Sequence, residues 1–357
     1  MCRLEVNINS NPKTYPIFIT NGDIDNLQTQ ILEQAQSKNY IVVISQKVYK
    51  IYGKILNFPK DKIFILKDGE QEKNFNNYQK IMNFALAQKL NRTDSIIAVG
   101  GGVVGDLAGF AASTYMRGIN FIQVPTTLLA CTDSSVGGKT AINTNFGKNL
   151  VGTFYQPKAV IINVNFLKTL DDRQFKSGLG EVVKYAFIEK SCQCDEDLNL
   201  INFLTANQSK ILDRDILTLR ELIEICIKLK ISVVTKDEKE SNLRKILNFG
   251  HTYAHAIETL TKYKKYTHGE CVIKGILYAL EYAFKSGKID KEYKFLCEDL
   301  IKKFEFCSIP RFDKNKMITL MRSDKKADDN TLTFILPTDY ARVEAFKMDS
   351  NNLKDVL

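Results

Sequence analysis

The first half of the chain alternates short hydrophobic runs with stretches of three-to-four spacing. The runs are YPIFIT, YIVVIS, KIFILK, SIIAVG, NFIQVP and AVIIN, and they are rich in β-branched and aromatic residues. Between two of these runs the helical period is carried by Phe75, Tyr78, Ile81, Met82, Ala85 and Leu86. This rhythm predicts a mainly parallel sheet with helices on its faces.

From about residue 176 onward the pattern becomes helical. Three segments have three-to-four spacing: LRELIEICIKLKISVV, LRKILNFGHTYAHAIETL and CVIKGILYALEYAF. Near the end, TLTFILP and RVEAFKM are typical of short strands. We therefore predict an α/β, Rossmann-like domain over residues 1–175 and an all-α domain over residues 176–357. The cleft between two closely abutting domains is the expected active site.

Composition narrows the class of protein. A chain of 357 residues exceeds one hydrophobic core, which agrees with two domains. No run of about 18 apolar residues occurs, and MCRLEVNINS lacks the apolar block of a signal peptide, so we expect a cytoplasmic protein without membrane contact. The net charge of +9 is dispersed among acids and asparagines, which argues against nucleic-acid binding. Eight cysteines in so long a chain predict free thiols, and the pair Cys192 and Cys194 lacks a second pair for zinc.

Two glycine-rich segments are candidates for binding an anionic cofactor. GGGVVGDLAGF (100–110) follows an apolar run and leads into a helical pattern, which places backbone N–H groups where a pyrophosphate could bind. It is not a GxGxxG fingerprint, so a purely structural turn is the alternative. PTTLLACTDSSVGGKTAINTNFGKNLVG (125–152) is too polar for plain core. Its candidate ligand contacts are Thr126, Thr127, Asp133, Lys139, Lys148 and Asn149.

All three histidines lie between residues 248 and 270. His251 and His255 are four apart on a predicted helix, about 6 Å along its axis, which is a common spacing of metal-binding pairs. His268 opens another predicted helix at HGE. The carboxylate candidate is Glu181 in SGLGEVVKYAF, interpreted as opening a helix with Lys184 one turn later. Two nitrogens and a carboxylate form an open zinc shell, whereas an acid stabilised by the helix dipole is the structural alternative for Glu181.

Together these motifs resemble the 3-dehydroquinate synthase family over nearly the whole chain. The shared motifs are GGGVVGDLAGF, PTTLLA..DSSVGGKT, GKNLVG, GLGEVVKY, LNFGHT..HAIE and HGE, in the family's order and approximate spacing. The resemblance implies an N-terminal NAD-binding domain, a helical metal- and substrate-binding domain, and one divalent metal, zinc or cobalt. It also implies conversion of the anionic sugar phosphate 3-deoxy-D-arabino-heptulosonate 7-phosphate to 3-dehydroquinate and phosphate, in the shikimate pathway. In the mechanism that the resemblance implies, NAD would oxidise C5 transiently, phosphate would be eliminated, hydride would return to C5, and ring opening would precede an intramolecular aldol closure.

The resemblance also assigns residues by position. The metal ligands would be Glu181, His251 and His268, which makes His255 a substrate contact and disagrees with the i, i+4 pair. The implied NAD contacts are Glu70, Lys73, Gly101, Gly102, Asp106, Thr126, Thr127, Asp133, Lys139 and Lys148. The implied substrate and catalytic residues are Arg117, Lys139, Lys148, Asn149, Lys184, Lys230, Arg244, Asn248, His255 and Lys326. Arg117 would reach a neighbour's pocket, which predicts a homodimer.

Several glycines of the family pattern are replaced in this chain. Ala186 and Ala254 are expected to cost little inside helices, and Asn242 and Asn330 are expected to keep turns through left-handed backbone. Three other functions remain open. They are another sugar-phosphate cyclase such as 2-deoxy-scyllo-inosose synthase, a metal-dependent alcohol or glycerol dehydrogenase, and a non-catalytic NAD-binding protein. Arg244 and Asn248, as a site for a substrate carboxylate, argue against the other cyclase.

Overall fold

The computed structural model describes residues 14–323 and 331–349. Its strands are β1 (Ile17–Thr20), β2 (Tyr40–Ser45), β3 (Ile63–Leu66), β4 (Ser95–Gly100), β5 (Asn120–Pro125), β6 (Lys139–Thr144), β7 (Gly147–Phe154), β8 (Ala159–Asn163), β9 (Thr331–Asp339) and β10 (Arg342–Asp349). In the described part of the chain, six strands form one sheet of order β1-β8-β5-β4-β2-β3, and all its neighbours are parallel. All six predicted hydrophobic runs are strands of this sheet.

Helices cover both faces of the sheet, as predicted. They are α1 (Leu27–Ala35), α2 (Gln46–Leu56), α3 (Phe75–Ala87) and α4 (Gly102–Thr114). Alternate residues of a strand point to opposite faces. Ile41 and Val43 therefore pack with residues of α3 and α4, whereas Val42 and Ile44 pack with residues of α1 and α2. Burial on both faces explains why β2 reads as a continuous apolar run.

The described residues from Asp172 onward form helices and one antiparallel hairpin, β9–β10. The helices are α5 (Asp172–Ile188), α6 (Leu200–Ala206), α7 (Gln208–Leu212), α8 (Ile216–Lys236), α9 (His251–Leu260), α10 (His268–Lys285), α11 (Lys291–Lys303) and α12 (Lys314–Ser323). The hairpin confirms the strands predicted at TLTFILP and RVEAFKM. The division into residues 1–175 and 176–357 stays a prediction, and that position lies inside α5.

Two local predictions are wrong. Glu181 does not open a helix, because α5 begins nine residues earlier and is capped by Asp171, whose side chain accepts hydrogen bonds from two backbone N–H groups. Residues 243–260 are not one helix, because a 3-10 helix (Leu243–Asn248) ends before Gly250, whose φ of 77° breaks the backbone path. Helix α9 then begins at His251.

The remaining sequence expectations can be placed in the fold. Ala186 and Ala254 are fully buried inside α5 and α9. Asn242 has a φ of −144°, so its backbone is not left-handed as expected, and Asn330 lies outside the described residues. The seven cysteines of the described residues are free thiols. Within the same residues no helix is both long and apolar enough to cross a membrane.

Candidate active site

Glu181, His251 and His268 meet where helices α5, α9 and α10 converge. One ligand atom from each lies within 4.8 Å of the others. Glu181 Oε1 is 3.5 Å from His251 Nε2 and 3.3 Å from His268 Nε2. Ligand atoms about 2.0–2.1 Å from a tetrahedral zinc ion lie about 3.3–3.4 Å apart. The observed separations therefore fit a site for one divalent cation.

Close packing of glycines allows this convergence. A Cβ on Gly180 would lie 2.6 Å from the backbone oxygen of Gly269, so α5 and α10 cross at a distance only glycine permits. Each of these glycines is a direct neighbour of a candidate ligand, Glu181 or His268. The left-handed φ of Gly250 similarly aims the start of α9, and with it His251, into the site.

Each histidine presents its Nε2 to Glu181 because its Nδ1 has a partner. His251 Nδ1 lies 3.1 Å from the Phe249 carbonyl oxygen, which can only accept, so Nδ1 carries the hydrogen. His268 Nδ1 lies 3.4 Å from Glu258 Oε1. Metal-binding histidines are usually oriented by such carbonyl and carboxylate partners. Glu181 Oε1 is buried, and His251 Nε2 and His268 Nε2 both face it, at 3.5 and 3.3 Å, without a hydrogen bond of good geometry, as expected of an atom available to bind a cation.

The pKa values of His251 and His268 are shifted in opposite directions. Burial, aided by the Lys184 ammonium, lowers the pKa of His251 to about 3 despite the pull of Glu181. Burial also acts to lower the pKa of His268, but Glu258 and Glu181 outweigh it and raise that pKa to about 10. In the absence of a cation, His268 therefore holds a proton between two carboxylates. Since a metal ligand must be neutral imidazole, metal binding releases this proton.

His255 lies one turn beyond His251 on α9, outside the cluster of three. Its ring centroid is 5.5 Å from that of His251 and 6.4 Å from that of His268. The cluster found among the described residues joins His251 to His268 and not to His255. This geometry agrees with the ligand set that the family resemblance implies, and the assignment itself remains a prediction.

Two buried lysines lie next to this cluster. Lys184 forms an ion pair with Glu181 Oε2, one helical turn away on α5. Burial lowers the pKa of Lys230 on α8 to about 8, although Asp133 opposes the shift. Lys230 Nζ donates to the Asp133 carbonyl oxygen at 2.5 Å and pairs with its Oδ1 at 2.9 Å. Asp133 Oδ1 also accepts from Tyr185 at 2.6 Å. Asp133 lies in a short π-helix, a feature frequent at functional sites.

A second group of polar residues surrounds Glu240. Its carboxylate pairs with Lys139 and accepts a hydrogen bond from Asn248. Glu240 is 15% exposed and Lys139 is 50% exposed. Arg244 is 1% exposed, and its guanidinium donates to the carbonyl oxygens of Gly137 and Glu238. The structure therefore gives Arg244 a role in holding the GGKT glycine turn.

The candidate NAD contacts lie at the carboxyl edge of the parallel sheet. Strands β2 and β4 are neighbours whose following connections run in opposite directions, to β3 and to β5, which is where such sheets bind nucleotides. Gly101 and Gly102 form the turn into α4 after β4. Thr127, after β5, is the side chain nearest to a Cβ built on Gly101, at 2.9 Å. Thr126 is buried and donates its backbone N–H to Gly100.

Other predicted cofactor residues connect this edge to the β6–β7 hairpin. Buried Lys73 pairs with Asp106 of α4 at 2.5 Å. Glu70 accepts from Asn143 at 2.7 Å and lies 3.9 Å from Lys148. Lys148 also pairs with Glu258 at 3.2 Å, so the hairpin reaches the histidine cluster.

Two predicted site residues are exposed, and a third is not among the described residues. Arg117 is exposed in a 3-10 helix after α4. Because α4 has 13 residues, Arg117 lies about 20 Å along the helix from the Gly101 turn. Asn149 is exposed in β7, with a left-handed φ of 56° and its backbone N–H donated to Asn143. Lys326 lies outside the described residues.

Sequence reasoning did not identify Glu240, Glu258 and Tyr185 as part of the site. Glu258 could have been found, because it is seven residues after His251 and therefore lies on the same face of α9. Tyr185 follows Lys184 directly, but the sequence does not reveal its contact with Asp133. Glu240 lies in a polar loop whose pattern indicates only exposure.

Comparison with known proteins identifies the family of this chain and solved structures with a similar fold. Family models described as the N-terminal and C-terminal parts of 3-dehydroquinate synthase match residues 63–177 and 178–327. A 3-dehydroquinate synthase of Alkaliphilus metalliredigens (strain QYMF) is 40% identical over 362 residues, covering 100% of this chain and 98% of the relative.

Two solved structures are similar along almost the whole chain. One is 2-deoxy-scyllo-inosose synthase complexed with carbaglucose-6-phosphate, NAD+ and Co2+, with a TM-score of 0.81, 26% identity, and 95% of each chain covered. The other is ValA (2-epi-5-epi-valiolone synthase) from Streptomyces hygroscopicus subsp. jinggangensis 5008 with NAD+ and Zn2+ bound. Its TM-score is 0.85 at 20% identity, covering 98% of this chain and 97% of that one, and this likeness concerns the fold alone.

Proposed function

The chain belongs to the 3-dehydroquinate synthase family, and we propose that its candidate active site carries out this family's reaction. The substrate is 3-deoxy-D-arabino-heptulosonate 7-phosphate, and the products are 3-dehydroquinate and phosphate. The enzyme is thus a carbon–oxygen lyase that depends on NAD and a divalent metal. The observation that carries this proposal is the buried Glu181 oxygen that lies between two imidazole nitrogens, adjacent to a group of lysines.

Glu181, His251 and His268 would hold the metal, zinc or cobalt, since their donor set of one oxygen and two nitrogens suits either ion. The turn at Gly101 and Gly102, with Thr126 and Thr127, would hold NAD. When bound, NAD supplies a reversible hydride acceptor, and the cation supplies a Lewis acid for the substrate's hydroxyl oxygens. The similar 2-deoxy-scyllo-inosose synthase structure, complexed with NAD+ and Co2+, supports NAD and a divalent metal as the cofactors.

The chain's own side chains would bind and orient a substrate that carries a carboxylate and a phosphate. Lys148 and Lys184 pair with the carboxylates of Glu258 and Glu181, Lys230 pairs with Asp133, and Lys139 shares the Glu240 carboxylate with Asn248. A bound anion would therefore take over contacts now made by protein carboxylates. His255, beside the two histidine ligands, would contact the phosphate or move a proton during its elimination. The departing phosphate itself is a suitable base for the C6 proton.

We also propose a homodimer with a shared phosphate site. Arg117 is exposed at the far end of α4, so its predicted role requires a pocket other than the one beside Gly101 in its own chain. A neighbouring subunit provides such a pocket. The division into an NAD-binding domain and a metal- and substrate-binding domain belongs to the same proposal.

Phosphate release from the heptulosonate phosphate tests the proposed function. We expect release to require NAD and to stop after treatment with a chelator, with zinc or cobalt restoring it. NAD should cycle, so stoichiometric accumulation of NADH would contradict the mechanism and favour a dehydrogenase. Glucose 6-phosphate is the control substrate, because release from it would instead indicate a 2-deoxy-scyllo-inosose synthase.

A further inference from the structure

The turn between α9 and α10 contains two successive residues with left-handed backbone. Lys262 has a φ of 53° and Tyr263 a φ of 57°. Residues other than glycine adopt this conformation infrequently, and strained backbone concentrates at functional sites. The turn connects α9, which carries His251 and His255, to His268 at the start of α10.

This backbone places the Tyr263 ring over Lys148. The Lys148 ammonium is 4.2 Å from the ring centroid, within the range of a cation–π interaction. The Tyr263 hydroxyl is 3.0 Å from Thr259 Oγ1, and its backbone N–H donates to the Glu258 carbonyl oxygen at 2.8 Å. Tyr263 is thus attached to the last turn of α9 at both ends, whereas Lys148 extends from the β6–β7 hairpin.

We propose that Tyr263 is a positioning residue that fixes the Lys148 ammonium at the candidate active site. The inference rests on the proposed function in one respect, namely that Lys148 contacts an anionic group of the substrate or of NAD. Lys148 is otherwise oriented by the carboxylates of Glu258, at 3.2 Å, and Glu70, at 3.9 Å. An incoming anion competes with those carboxylates for the ammonium, but it does not compete for the face of a neutral ring.

The contact with Tyr263 therefore persists when the carboxylate partners are exchanged for ligand oxygens. Replacing the ring should leave Lys148 free to sample other rotamers and should weaken the ligand contact without removing it. The metal cluster should be unaffected, because His268 is oriented by Glu258 and not by Tyr263.

Four variants test this inference: Tyr263→Leu, Tyr263→Phe, Lys148→Met and the double variant Tyr263→Leu with Lys148→Met. We expect Tyr263→Leu to raise the KM for the heptulosonate phosphate, or the Kd for NAD measured by calorimetry, about fivefold, with kcat within about twofold and metal content unchanged. Tyr263→Phe keeps the ring and should restore the affinity. In the Lys148→Met background, the leucine substitution should have no further effect.

Tyr266→Leu is the matched control, because Tyr266 belongs to the same turn but its ring lies over Lys265, 5.3 Å away. A double-mutant cycle of unfolding free energies, measured in urea on the same variants, gives the coupling between Tyr263 and Lys148 even if the protein has another substrate. Zero coupling in that cycle overturns the inference. The inference is also overturned if Tyr263 and Lys148 are coupled in the free energy of unfolding while the affinities for substrate and NAD are unchanged in Tyr263→Leu. The contact would then be structural only. Failure of the proposed function would appear separately, as absence of phosphate release by the unaltered protein.

Discussion

Substitution of Gly180 by alanine tests whether the crossing of α5 and α10 sets the distance between metal ligands. The new Cβ would lie 2.6 Å from the Gly269 oxygen and 2.8 Å from its Cα and carbonyl carbon, all backbone atoms. Ordinary contacts of a Cβ begin at 3.4 Å. The helices must therefore separate by up to about 0.8 Å, the difference between 3.4 and 2.6 Å. Glu181 and His268 are the adjacent residues and move with the backbone.

The ligand geometry tolerates little of this movement. If it is transmitted fully, the Glu181 Oε1 to His268 Nε2 distance grows from 3.3 Å to about 4.1 Å. Two metal–ligand bonds of about 2.1 Å span that distance only when nearly collinear, far from a tetrahedral angle. We expect Gly180→Ala to weaken cobalt or zinc binding at least about tenfold, or about 1.4 kcal/mol. Alanine gains about 1 kcal/mol of helix propensity against about 1–3 kcal/mol for overpacking, so unfolding should change by less than about 2 kcal/mol.

Gly53→Ala in α2 is the matched control. Its Cβ would also meet atoms at 2.7 Å, but they belong to the Tyr49 side chain, which can rotate away. Cobalt titration followed by visible absorption measures affinity, and urea unfolding measures stability. If Gly180→Ala binds cobalt within twofold of the unaltered protein, the glycine crossing does not set the ligand separation.

Three further predictions follow from the site. The variants His251→Ala and His268→Ala should lose metal on mild dialysis, whereas His255→Ala should keep its metal with much reduced turnover. If His255→Ala is instead metal-free and His268→Ala keeps its metal, the i, i+4 pair of His251 and His255 supplies the ligands. Burial lowers the pKa of Lys230 to about 8, so between pH 8 and 10.5 the unfolded chain binds more protons than the folded one. The free energy of unfolding, measured in urea and compared with that of Lys230→Met, should therefore rise with pH by up to about 3 kcal/mol. A free energy that does not rise would contradict this pKa. Arg117→Ala chains mixed with chains inactivated at another pocket residue should regain activity in verified heterodimers, and no recovery would exclude a shared site.

The sheet could be predicted from sequence because its strands are buried on both faces. Such strands are nearly continuous hydrophobic runs, and each was bounded by polar residues or glycines. The β6–β7 hairpin was not predicted as strands, because β7 is mostly exposed and its residues (Gly147–Phe154) show no alternation between apolar and polar positions. Its polarity instead indicated ligand binding.

The candidate site was predictable in its residue types and less so in its contacts. Glu181 was predicted to open a helix, whereas the glycines that precede it lie inside α5, where they allow close packing. The i, i+4 rule correctly placed His251 and His255 on one helical face. It could not show that α10 brings His268 into contact with Glu181, because these two residues are 87 positions apart in the chain. Glu258 and Glu240 act on partners in other elements, which periodicity does not reveal.

The pairing of every described pocket lysine with a carboxylate has a consequence for substrate binding. Burial acts to lower the pKa of Lys184, but its carboxylate neighbours Glu181 and Asp133 outweigh burial and raise that pKa, so this pairing favours the charged ammonium. The free energy of binding is then the difference between a phosphate contact and the carboxylate contact it replaces, and not the full Coulomb attraction. Exchange is easiest where water already reaches the pair, which favours Lys139, 50% exposed, over Lys184, 2% exposed. The substrate's anionic groups should therefore meet the Lys139–Glu240 pair first, while Lys184 stays paired with Glu181, the candidate metal ligand, and favours its ionised form.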